Sequence, residues 1–246
     1  MDSDLRVRLD AGIAHLTLDR APKRNAMTPA MRAAFARHLG AWAADASVRV
    51  LVLDGAGPDF CAGSDMAQAG QQSAAERLLV FTALARFPKP AIACVHGACI
   101  GAAVALVACC DVVLASPDAF FSVPELRLGF SPGALAPLLR HGLGERGYRR
   151  YALGGERFDA PTAQALGLVH EVCNAPAARS AEVAREFLHA APRAVADAKK
   201  ALGEQLAGAV EALLDAEPAL LHGEEAREGL AAVRERRRPR WSPGPE

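Results

Sequence analysis

Two stretches between residues 95 and 126 carry the residue types needed to bind a substrate oxyanion and to move a proton. The run HGACIGAA at 96–103 follows an apolar strand and leads into a short apolar helix. Backbone N–H groups at the start of a helix have no acceptor within it, so they can bind an oxyanion. Glu125 follows Pro124 at the end of another apolar strand, where a carboxyl can face a dry pocket. The pattern predicts an acid/base group that faces an anion-binding backbone.

A second glycine-rich loop, FCAGSDM at 60–66, follows the strand predicted at 48–53 and its turn residues. This region lacks a GxGxxG pattern and a P-loop lysine, so a nucleotide site is not indicated. Cys61 has no histidine placed near it by the sequence, which disfavours a thiol nucleophile. His96 is interpreted as a hydrogen-bonded structural residue at a strand end. Two loops of small residues therefore follow two central strands.

The composition indicates a small-molecule partner. The 246 residues contain 28 Lys and Arg against 28 Asp and Glu, so the net charge favours neither nucleic acid nor a membrane surface as a partner. Six cysteines lack the paired CxxC spacing of a metal site and the density of a secreted disulfide scaffold. The N-terminus has no basic start followed by an apolar run, as a secretory signal would. We therefore expect free thiols, no metal and a cytoplasmic location.

The elements that position the two loops alternate between strands and helices. Alternating apolar residues predict a β-hairpin within 5–18. Thr28 is the predicted cap of one helix, and Ser73 begins a capping box that opens another. The apolar segment 91–110 is interpreted as a strand, turn and helix rather than as a membrane span. This order predicts right-handed ββα or βαβ winding of one α/β domain.

The second half of the chain is predicted to be mostly helical. Helices are expected at 132–140, 145–153 and 161–166, and a strand at 167–172. Later helices are expected to break at Pro192, Gly203, Pro218 and Gly223. The arginine-rich run 234–241 is either a solvated helix end or a phosphate clamp, and 239–246 has the composition of a frayed tail.

Blocks of sequence spread over nearly the whole chain resemble the crotonase superfamily, the enoyl-CoA hydratase/isomerase fold. They are LDRAPKRNAM at 18–27, FCAGSDM at 60–66, HGACIGAA at 96–103, VPELRLG at 123–129, AQALGLV at 163–169 and EGLAA at 228–232. The resemblance implies an α/β fold, a crotonase-like spiral of ββα units with a C-terminal helical trimerisation region. It implies a core with the acyl-CoA site at 1–190, a helical region at 191–246, and a homotrimer or homohexamer.

The resemblance also implies an acyl-CoA site. The backbone N–H groups of Ser64 and Ala102 would bind the thioester carbonyl oxygen, a task that needs amides rather than side chains, and Glu125 would be the acid/base. The implied substrate-binding residues are Lys23, Arg24, Ala62, Asp65, Met66 and Gly101. Lys23 and Arg24 are alternatively solvated loop charges without a phosphate partner. Coenzyme A enters as part of the substrate, with no separate cofactor, and Arg236 or Arg237 is a further candidate for its phosphates.

The sequence departs from the family at Ala105, where two-carboxylate hydratases carry a second glutamate. One carboxylate suffices to move a proton between two carbons, as an enoyl-CoA isomerase does, whereas hydration also needs a positioned water. A finer resemblance, in ELRLG at 125–129 and GLVHEV at 167–172, is to methylglutaconyl-CoA-type hydratases, which also tend to have a small residue there. We expect a hydratase, with an isomerase and a non-catalytic acyl-CoA-binding protein as alternatives. Segment 68–81 is expected to line the acyl end without fixing the chain accepted.

Overall fold

The computed structural model describes residues 4–68, 72–215 and 223–243. Its strands are β1 (Leu5–Asp10), β2 (Ile13–Leu18), β3 (Val50–Gly55), β4 (Ala91–Val95), β5 (Ala98–Ile100), β6 (Val112–Ala115), β7 (Phe120–Ser122), β8 (Arg157–Asp159) and β9 (Glu171–Val172). Its helices are α1 (Pro29–Ala44), α2 (Ala74–Ala85), α3 (Ala102–Val107), α4 (Ala136–Gly154), α5 (Ala160–Ala165), α6 (Pro176–Leu188), α7 (Pro192–Glu211) and α8 (Glu224–Glu235). Short 3-10 turns span Ala21–Lys23, Met66–Gln68, Glu125–Leu128 and Gly133–Leu135.

Two sheets form the centre of the fold. The larger has the strand order β1-β2-β3-β4-β6-β9, and every neighbouring pair after the β1–β2 hairpin is parallel. The smaller has the order β5-β7-β8, in which β5 and β7 are parallel. Strand β4 is buried along its whole length, as expected for a parallel strand covered on both faces. The predicted α/β class is confirmed.

The N-terminal helices begin where their local signals predict. The Thr28 hydroxyl accepts a hydrogen bond from the amide of Met31 at 3.1 Å and caps α1. Ser73 and Glu76 make both hydrogen bonds of the capping box that opens α2. These caps fix the first turns of α1 and α2, which come before and after loop 60–66 in the sequence.

The order of the parallel strands brings the two predicted loops together. Because β3 and β4 are parallel neighbours, the segments that follow them leave the sheet at the same edge. Cys61 pairs with Cys99 in an isolated parallel bridge, and Ser64 pairs with Met27 in another. The first bridge joins loop 60–66 to β5, just before α3.

The C-terminal helices pack on the core beside these loops. Helix α7 lies against α2, and α8 lies against the turn Glu125–Leu128. Helix α8 comes so close that a Cβ on Gly229 would overlap the carbonyl oxygen of Leu128. Trp241, in the tail predicted to be frayed, packs beside the backbone of Gly129. In the described ranges, no helix combines the length and the apolar character that crossing a bilayer requires.

One predicted helix break is wrong. Gly203 lies inside α7, which continues through it to its end. The glycine is needed for packing, because a Cβ at this position would overlap the carbonyl oxygen of Ala85 at the end of α2. Pro192 and Gly223 stand at helix starts as predicted, whereas Pro218 lies outside the described residues.

Two further predictions in the second half hold in part. The helices expected at 132–140 and 145–153 are the halves of α4, which departs from helical geometry at Gly144 (φ 66°, ψ 163°) and is preceded by the 3-10 turn Gly133–Leu135. Of the strand expected at 167–172, only Glu171–Val172 pairs with β6. The division of the chain at residues 190 and 191 stays a prediction.

Candidate active site

A cavity of about 340 Å³ lies where loop 60–66, the start of α3 and the turn after β7 meet. Its wall is mostly apolar, with the polar side chains of a few residues facing in, as in small-molecule sites. Seven of the nine predicted site residues line it: Ser64, Ala102, Glu125, Ala62, Asp65, Met66 and Gly101.

The first predicted amide donor belongs to Ser64. The residues on either side of it are hydrogen-bonded to Met27. The Met27 amide donates to the Gly63 carbonyl at 2.7 Å, and the Met27 carbonyl accepts from the Asp65 amide at 3.0 Å. The Ser64 amide itself donates no hydrogen bond to another described residue. Gly63 has φ +89°, and a Cβ on it would lie 3.5 Å from the amide nitrogen of Ala102. The two loops are therefore in contact.

The second predicted donor is the amide of Ala102, the first residue of α3. Gly101 before it has φ 59° and ψ −122°, and its own amide donates to the Ser122 carbonyl at 2.8 Å. The Val104 amide donates a hydrogen bond to the Gly101 carbonyl at 2.9 Å. Among the described hydrogen bonds none is donated by the Ala102 amide, as expected for a first-turn N–H group.

Glu125 lies in the same cavity, beside Gly101. It begins the 3-10 turn Glu125–Leu128, and its carbonyl accepts a hydrogen bond from the Phe130 amide at 2.9 Å. The position that a Cβ on Gly101 would take lies 2.6 Å from Oε1 of Glu125. The carboxyl therefore lies directly beside the loop that presents the Ala102 amide, and only glycine at 101 leaves room for it.

The Glu125 carboxyl is suited to both halves of a proton transfer. Burial, which disfavours the charged form, raises its pKa from 4.5 to about 7,. Its Oε2 atom is buried and has no hydrogen-bond partner among the described residues. A group with a pKa near neutral pH can both accept and return a proton at a useful rate.

Ala105 follows one turn after Ala102 and offers no polar side chain. It is fully buried in α3 and is not one of the described residues that line the cavity. The second carboxyl on the cavity wall belongs to Asp65 instead. Arg20 holds it in an ion pair at 2.8 Å, and the Ala67 amide donates to its other oxygen at 2.9 Å. Both carboxylate oxygens of Asp65 therefore have partners, whereas Oε2 of Glu125 has none among the described residues.

The side chains of the two predicted coenzyme A contacts do not line the cavity, although the Arg24 carbonyl accepts a hydrogen bond from the lining residue Ala62 at 2.8 Å. Lys23 and Arg24 are exposed and do not belong to its described lining. Arg24 donates to both oxygens of Asp59 at 2.7 and 3.2 Å, and these bonds lower the pKa of that carboxyl. Lys23 lies at the end of the turn Ala21–Lys23. Their role toward coenzyme A stays a prediction.

The C-terminal segment reaches the cavity through Leu230 of α8. Arg237, one of the two candidate phosphate ligands, donates to both oxygens of Glu228 at 2.6 and 3.0 Å. Arg236 is exposed at the end of the same helix. Arg237 therefore has a structural partner, and both arginines are exposed.

Sequence reasoning missed Arg32, which also lines the cavity. The residue is only 5% exposed, and its Nη2 donates to the Ser64 hydroxyl at 2.6 Å while Nη1 donates to Oε1 of Gln72 at 3.4 Å. The apolar stripe of α1 runs beside it through Met31 and Phe35. An arginine next to such a stripe usually points to solvent, so no local signal indicates its burial.

The other candidate nucleophile and ligand residues have structural roles. Cys61 is buried, and desolvation raises its pKa to about 12, so the thiol stays protonated at neutral pH. A ring nitrogen of His96 lies 2.9 Å from the Gly57 carbonyl oxygen. Over residues 4–68, 72–215 and 223–243, no group of three His, Cys, Asp or Glu side chains is placed to hold a metal ion.

Together these groups define a specific chemical capability. Two amides without acceptors can bind one carbonyl oxygen and stabilise negative charge that develops on it. A carboxyl with a pKa of about 7 lies beside them and can transfer a proton at a carbon close to that carbonyl. The arrangement suits reactions that pass through an enolate.

Comparisons with known proteins all indicate one enzyme family. The family model described as "Enoyl-CoA hydratase/isomerase" matches residues 8–244. The 2,3-dehydroadipyl-CoA hydratase of Escherichia coli strain K12 is 32% identical over 250 residues, covering 96% of this chain and 98% of that protein. The peroxisomal Delta(3,5)-Delta(2,4)-dienoyl-CoA isomerase of Arabidopsis thaliana is 29% identical, covering 97% and 95%. The crystal structure of an enoyl-CoA hydratase/isomerase from Pseudoalteromonas atlantica T6c is similar with a TM-score of 0.88 and 28% identity, covering 97% and 100%.

Proposed function

The chain belongs to the enoyl-CoA hydratase/isomerase family, and we propose that within this family it hydrates 2-enoyl-CoA thioesters. The crotonase superfamily predicted from the sequence and the crotonase-like α/β fold are both confirmed. The protein is therefore an acyl-CoA-processing enzyme with hydratase or isomerase activity. The finer resemblance to methylglutaconyl-CoA hydratases stays a prediction.

The observation that supports the proposal is that Glu125, Ser64 and Ala102 line one cavity, with the Glu125 carboxyl beside Gly101. In the proposed complex both amides donate hydrogen bonds to the thioester carbonyl oxygen of the substrate. Each donor of this kind stabilises the developing oxyanion by roughly 3 kcal/mol. Withdrawal of electrons toward that oxygen leaves C3 of the enoyl group electrophilic, so water can add there.

Glu125 then transfers the proton in both steps, the formation of the C3–O bond and the protonation of C2. As a carboxylate it takes a proton from the attacking water while the new C3–O bond forms. The electron pair of the C2–C3 double bond moves into a thioester enolate held by Ser64 and Ala102. Protonated Glu125 returns the proton to C2, and the thioester carbonyl is restored. Atoms and charges balance with one carboxylate, and the pKa of about 7 matches both steps.

The hydratase assignment draws on the similarity to a named hydratase over nearly the full length of both chains. One observation favours isomerisation as the second candidate. Ala105 is buried and apolar, so α3 supplies no second carboxylate to hold a water. In that reaction Glu125 would take a proton from C2 of a 3-enoyl-CoA, the electron pair would move through a dienolate, and Glu125 would return the proton to C4.

A paired absorbance assay tests the proposal. The purified protein receives a 2-enoyl-CoA in one cuvette and the matching 3-enoyl-CoA in another. Loss of conjugated absorbance in the first supports hydration, whereas a gain of it in the second without loss in the first contradicts hydration and supports isomerisation. The Glu125→Gln variant controls for contaminating enzymes, and Glu145→Gln, on the exposed surface of α4, controls for the substitution itself. Turnover of neither substrate would also reject the proposal and leave the binding-protein alternative.

We also propose that the enzyme is cytoplasmic and assembles as a homotrimer or homohexamer, with coenzyme A present only as part of the substrate. Leu202 on α7 and Leu153 on α4 are 70% and 60% exposed. Apolar side chains with this much solvent exposure are available for contacts between subunits. Sedimentation velocity measures the assembly, and a monomer at micromolar concentration would contradict it.

A further inference from the structure

We propose that Asn25 is a positioning residue that sets the place of the Ser64 amide in the cavity. Asn25 is not among the described residues that line the cavity, so it acts on a bound substrate only through loop 60–66. The inference rests on the proposed function, because it takes the Ser64 amide to bind the thioester carbonyl oxygen. Its basis is a buried side-chain amide that is hydrogen-bonded to the chain leading into that loop.

The Asn25 side chain is fully buried, and both ends of its amide have partners. Its Oδ1 atom accepts a hydrogen bond from the Arg20 amide at 2.8 Å. Its Nδ2 atom donates to three carbonyl oxygens between β3 and loop 60–66, those of Ala56 at 2.8 Å, Asp59 at 2.8 Å and Phe60 at 3.1 Å. Loss of the side chain would leave these buried backbone groups without that partner, which is costly. The amide therefore joins segment 20–27 to the start of the loop.

The backbone of Asn25 has a conformation that favours this residue type. Its φ is 55°, and Arg24 before it has φ 51°, both in the left-handed region. Asparagine enters that region more readily than most residues, because its short polar side chain can bond to nearby backbone groups. The Asn25 amide donates to the Arg20 carbonyl at 3.1 Å and closes the turn. Asn25 therefore sets the direction in which the chain leaves this turn.

Segment 24–27 follows the turn and is hydrogen-bonded to loop 60–66 on both sides of Ser64. Three backbone hydrogen bonds join them, from the Ala62 amide to the Arg24 carbonyl at 2.8 Å, from the Met27 amide to the Gly63 carbonyl at 2.7 Å, and from the Asp65 amide to the Met27 carbonyl at 3.0 Å. Ser64 itself pairs with Met27 in a parallel bridge. The place of Ser64 therefore follows the path of segment 24–27.

The other edge of the loop is hydrogen-bonded to the chain that leads to Ala102. These bonds run from the Phe60 amide to the His96 carbonyl at 2.8 Å, from the Cys61 amide to the Ala98 carbonyl at 2.9 Å, and from the Ile100 amide to the Cys61 carbonyl at 3.0 Å. Loop 60–66 thus lies between segment 24–27 and β5, and the spacing of the Ser64 and Ala102 amides depends on both contacts. A displacement of roughly 1 Å can lower a rate by about 10²-fold, so a change in the contact that Asn25 holds is enough to slow the reaction.

Two variants separate positioning from a contribution to folding. Asn25→Gly removes the side-chain amide but keeps the left-handed backbone accessible, because glycine adopts positive φ without strain. The matched control is Leu39→Ala in α1. Leu39 is 1% exposed and is not part of the described cavity lining, so its truncation lowers stability without removing a hydrogen bond of segment 24–27. Urea unfolding measures the stability lost in each variant.

The place of the Ser64 amide can be measured with a bound thioester that cannot react. Hexanoyl-CoA is saturated, and carbon-13 at its thioester carbonyl identifies the infrared band of the bound ester by difference from the unlabelled ester. Hydrogen bonds from the two amides polarise this carbonyl and lower its stretching frequency. We expect the same lowering in wild type and in Leu39→Ala, and a smaller one in Asn25→Gly. An equal lowering in Asn25→Gly and wild type, or none in wild type, would overturn the inference.

Turnover of an enoyl-CoA gives the second measurement, at a temperature at which all the proteins are folded. We expect kcat to fall at least about 10-fold in Asn25→Gly, towards the roughly 10²-fold loss caused by removing one oxyanion donor. The kcat of Leu39→Ala should stay at the wild-type value. An equal fall in the two variants would mean that Asn25 acts through stability alone and would overturn the inference. If Asn25→Gly does not fold, Asn25→Ser, which keeps one donor, takes its place with the same expected direction.

The infrared measurement separates failure of this inference from failure of the proposed function. It needs no turnover, because hexanoyl-CoA cannot be hydrated. A smaller lowering of the carbonyl frequency in Asn25→Gly supports the inference even if the wild-type enzyme hydrates no 2-enoyl-CoA. A lowering that Asn25→Gly leaves unchanged contradicts the inference even if hydration is found.

Discussion

The two walls of the cavity are built from different parts of the chain. On one side, Ser64 and Ala102 present backbone amides that are positioned by bridges and hydrogen bonds between loops and strands. On the other, Arg32 of α1, Gln72 just before α2 and Arg77 in the first turn of α2 present their side chains. In the proposed complex the first wall binds the carbonyl that every acyl-CoA carries. The second wall would contact the acyl group, which differs between substrates.

Reaction and selectivity are thus assigned to different kinds of donor. A backbone donor keeps its chemistry when its side chain changes, provided that the loop keeps its shape. A side-chain donor can be exchanged without moving the backbone. We therefore expect changes in loop geometry to abolish the reaction and changes on the acyl side to alter the choice of substrate. Glu125 is the exception, because it is a side chain on which the reaction depends.

The largest effect is expected from Glu125→Gln. The amide keeps the shape of the carboxyl but cannot take a proton from water or return it to carbon. We expect kcat to fall by about 10²- to 10⁴-fold, the range for loss of a general acid/base, while the affinity for a saturated acyl-CoA is retained. Steady-state kinetics and calorimetry measure the two quantities. A variant that keeps the wild-type rate would remove Glu125 from the mechanism.

The next largest effect is expected from Gly63→Ala, which disturbs the backbone wall. The added Cβ would lie 2.6 Å from the Ile100 carbonyl oxygen, at a backbone φ of +89°. The loop must shift and take the Ser64 amide with it, so kcat should fall by about 10²- to 10³-fold, the loss found for one oxyanion donor.

Gly40→Ala is the matched control for that substitution. Gly40 lies on the exposed side of α1, and a Cβ there meets no atom within 4 Å. We expect unchanged kinetics and a gain in stability of up to about 1 kcal/mol, since alanine is the better helix former. Similar kinetic losses in both variants would mean that Gly63 has no special role.

A smaller effect is expected on stability, and it depends on pH. The pKa of Glu125 is raised in the folded protein from 4.5 to about 7, so the folded state binds more protons than the unfolded state between these values. Stability contributed by protonated Glu125 is therefore lost as pH rises through this window. Glu125→Gln should gain about 3 kcal/mol relative to wild type between pH 4.5 and pH 8. Urea unfolding of both proteins at each pH measures it, and a constant difference would contradict the raised pKa.

The smallest effect is expected from Ser64→Ala. It removes the hydroxyl that accepts from Arg32 at 2.6 Å but leaves the amide in place. We expect less than about a 10-fold change in kcat with a neutral enoyl-CoA, because one hydrogen bond contributes about 1 kcal/mol. A loss as large as that of Gly63→Ala would mean that the side chain, rather than the amide, does the chemistry.

The backbone wall could be predicted from the sequence because its signals are local. Glycines and small residues after buried strands indicated the two loops, and Pro124 with an apolar strand indicated Glu125. Within those loops the family resemblance selected Ser64 and Ala102. The family resemblance supplied their roles. The cavity brings all three together, while their catalytic function is still a prediction.

The side-chain wall could not be predicted in the same way. Burial of Arg32 depends on where α1 packs against loop 60–66, a contact between distant parts of the chain. The ion pair of Asp65 with Arg20 has the same origin. The helix break predicted at Gly203 is wrong for a related reason, because close packing of α7 on α2 outweighs the low helix propensity of glycine.

The ionisation of Glu125 tests the proposed mechanism most directly. Carbon-13 NMR of protein labelled at the glutamate side-chain carboxyls, compared with the Glu125→Gln variant, isolates its resonance across a pH titration. We expect the buried Glu125 carboxyl to titrate near pH 7 and its resonance to be missing from the variant. A Glu125 that titrates near the ordinary value of 4.5 would show a solvated carboxylate and contradict the buried acid/base placed against the two amides.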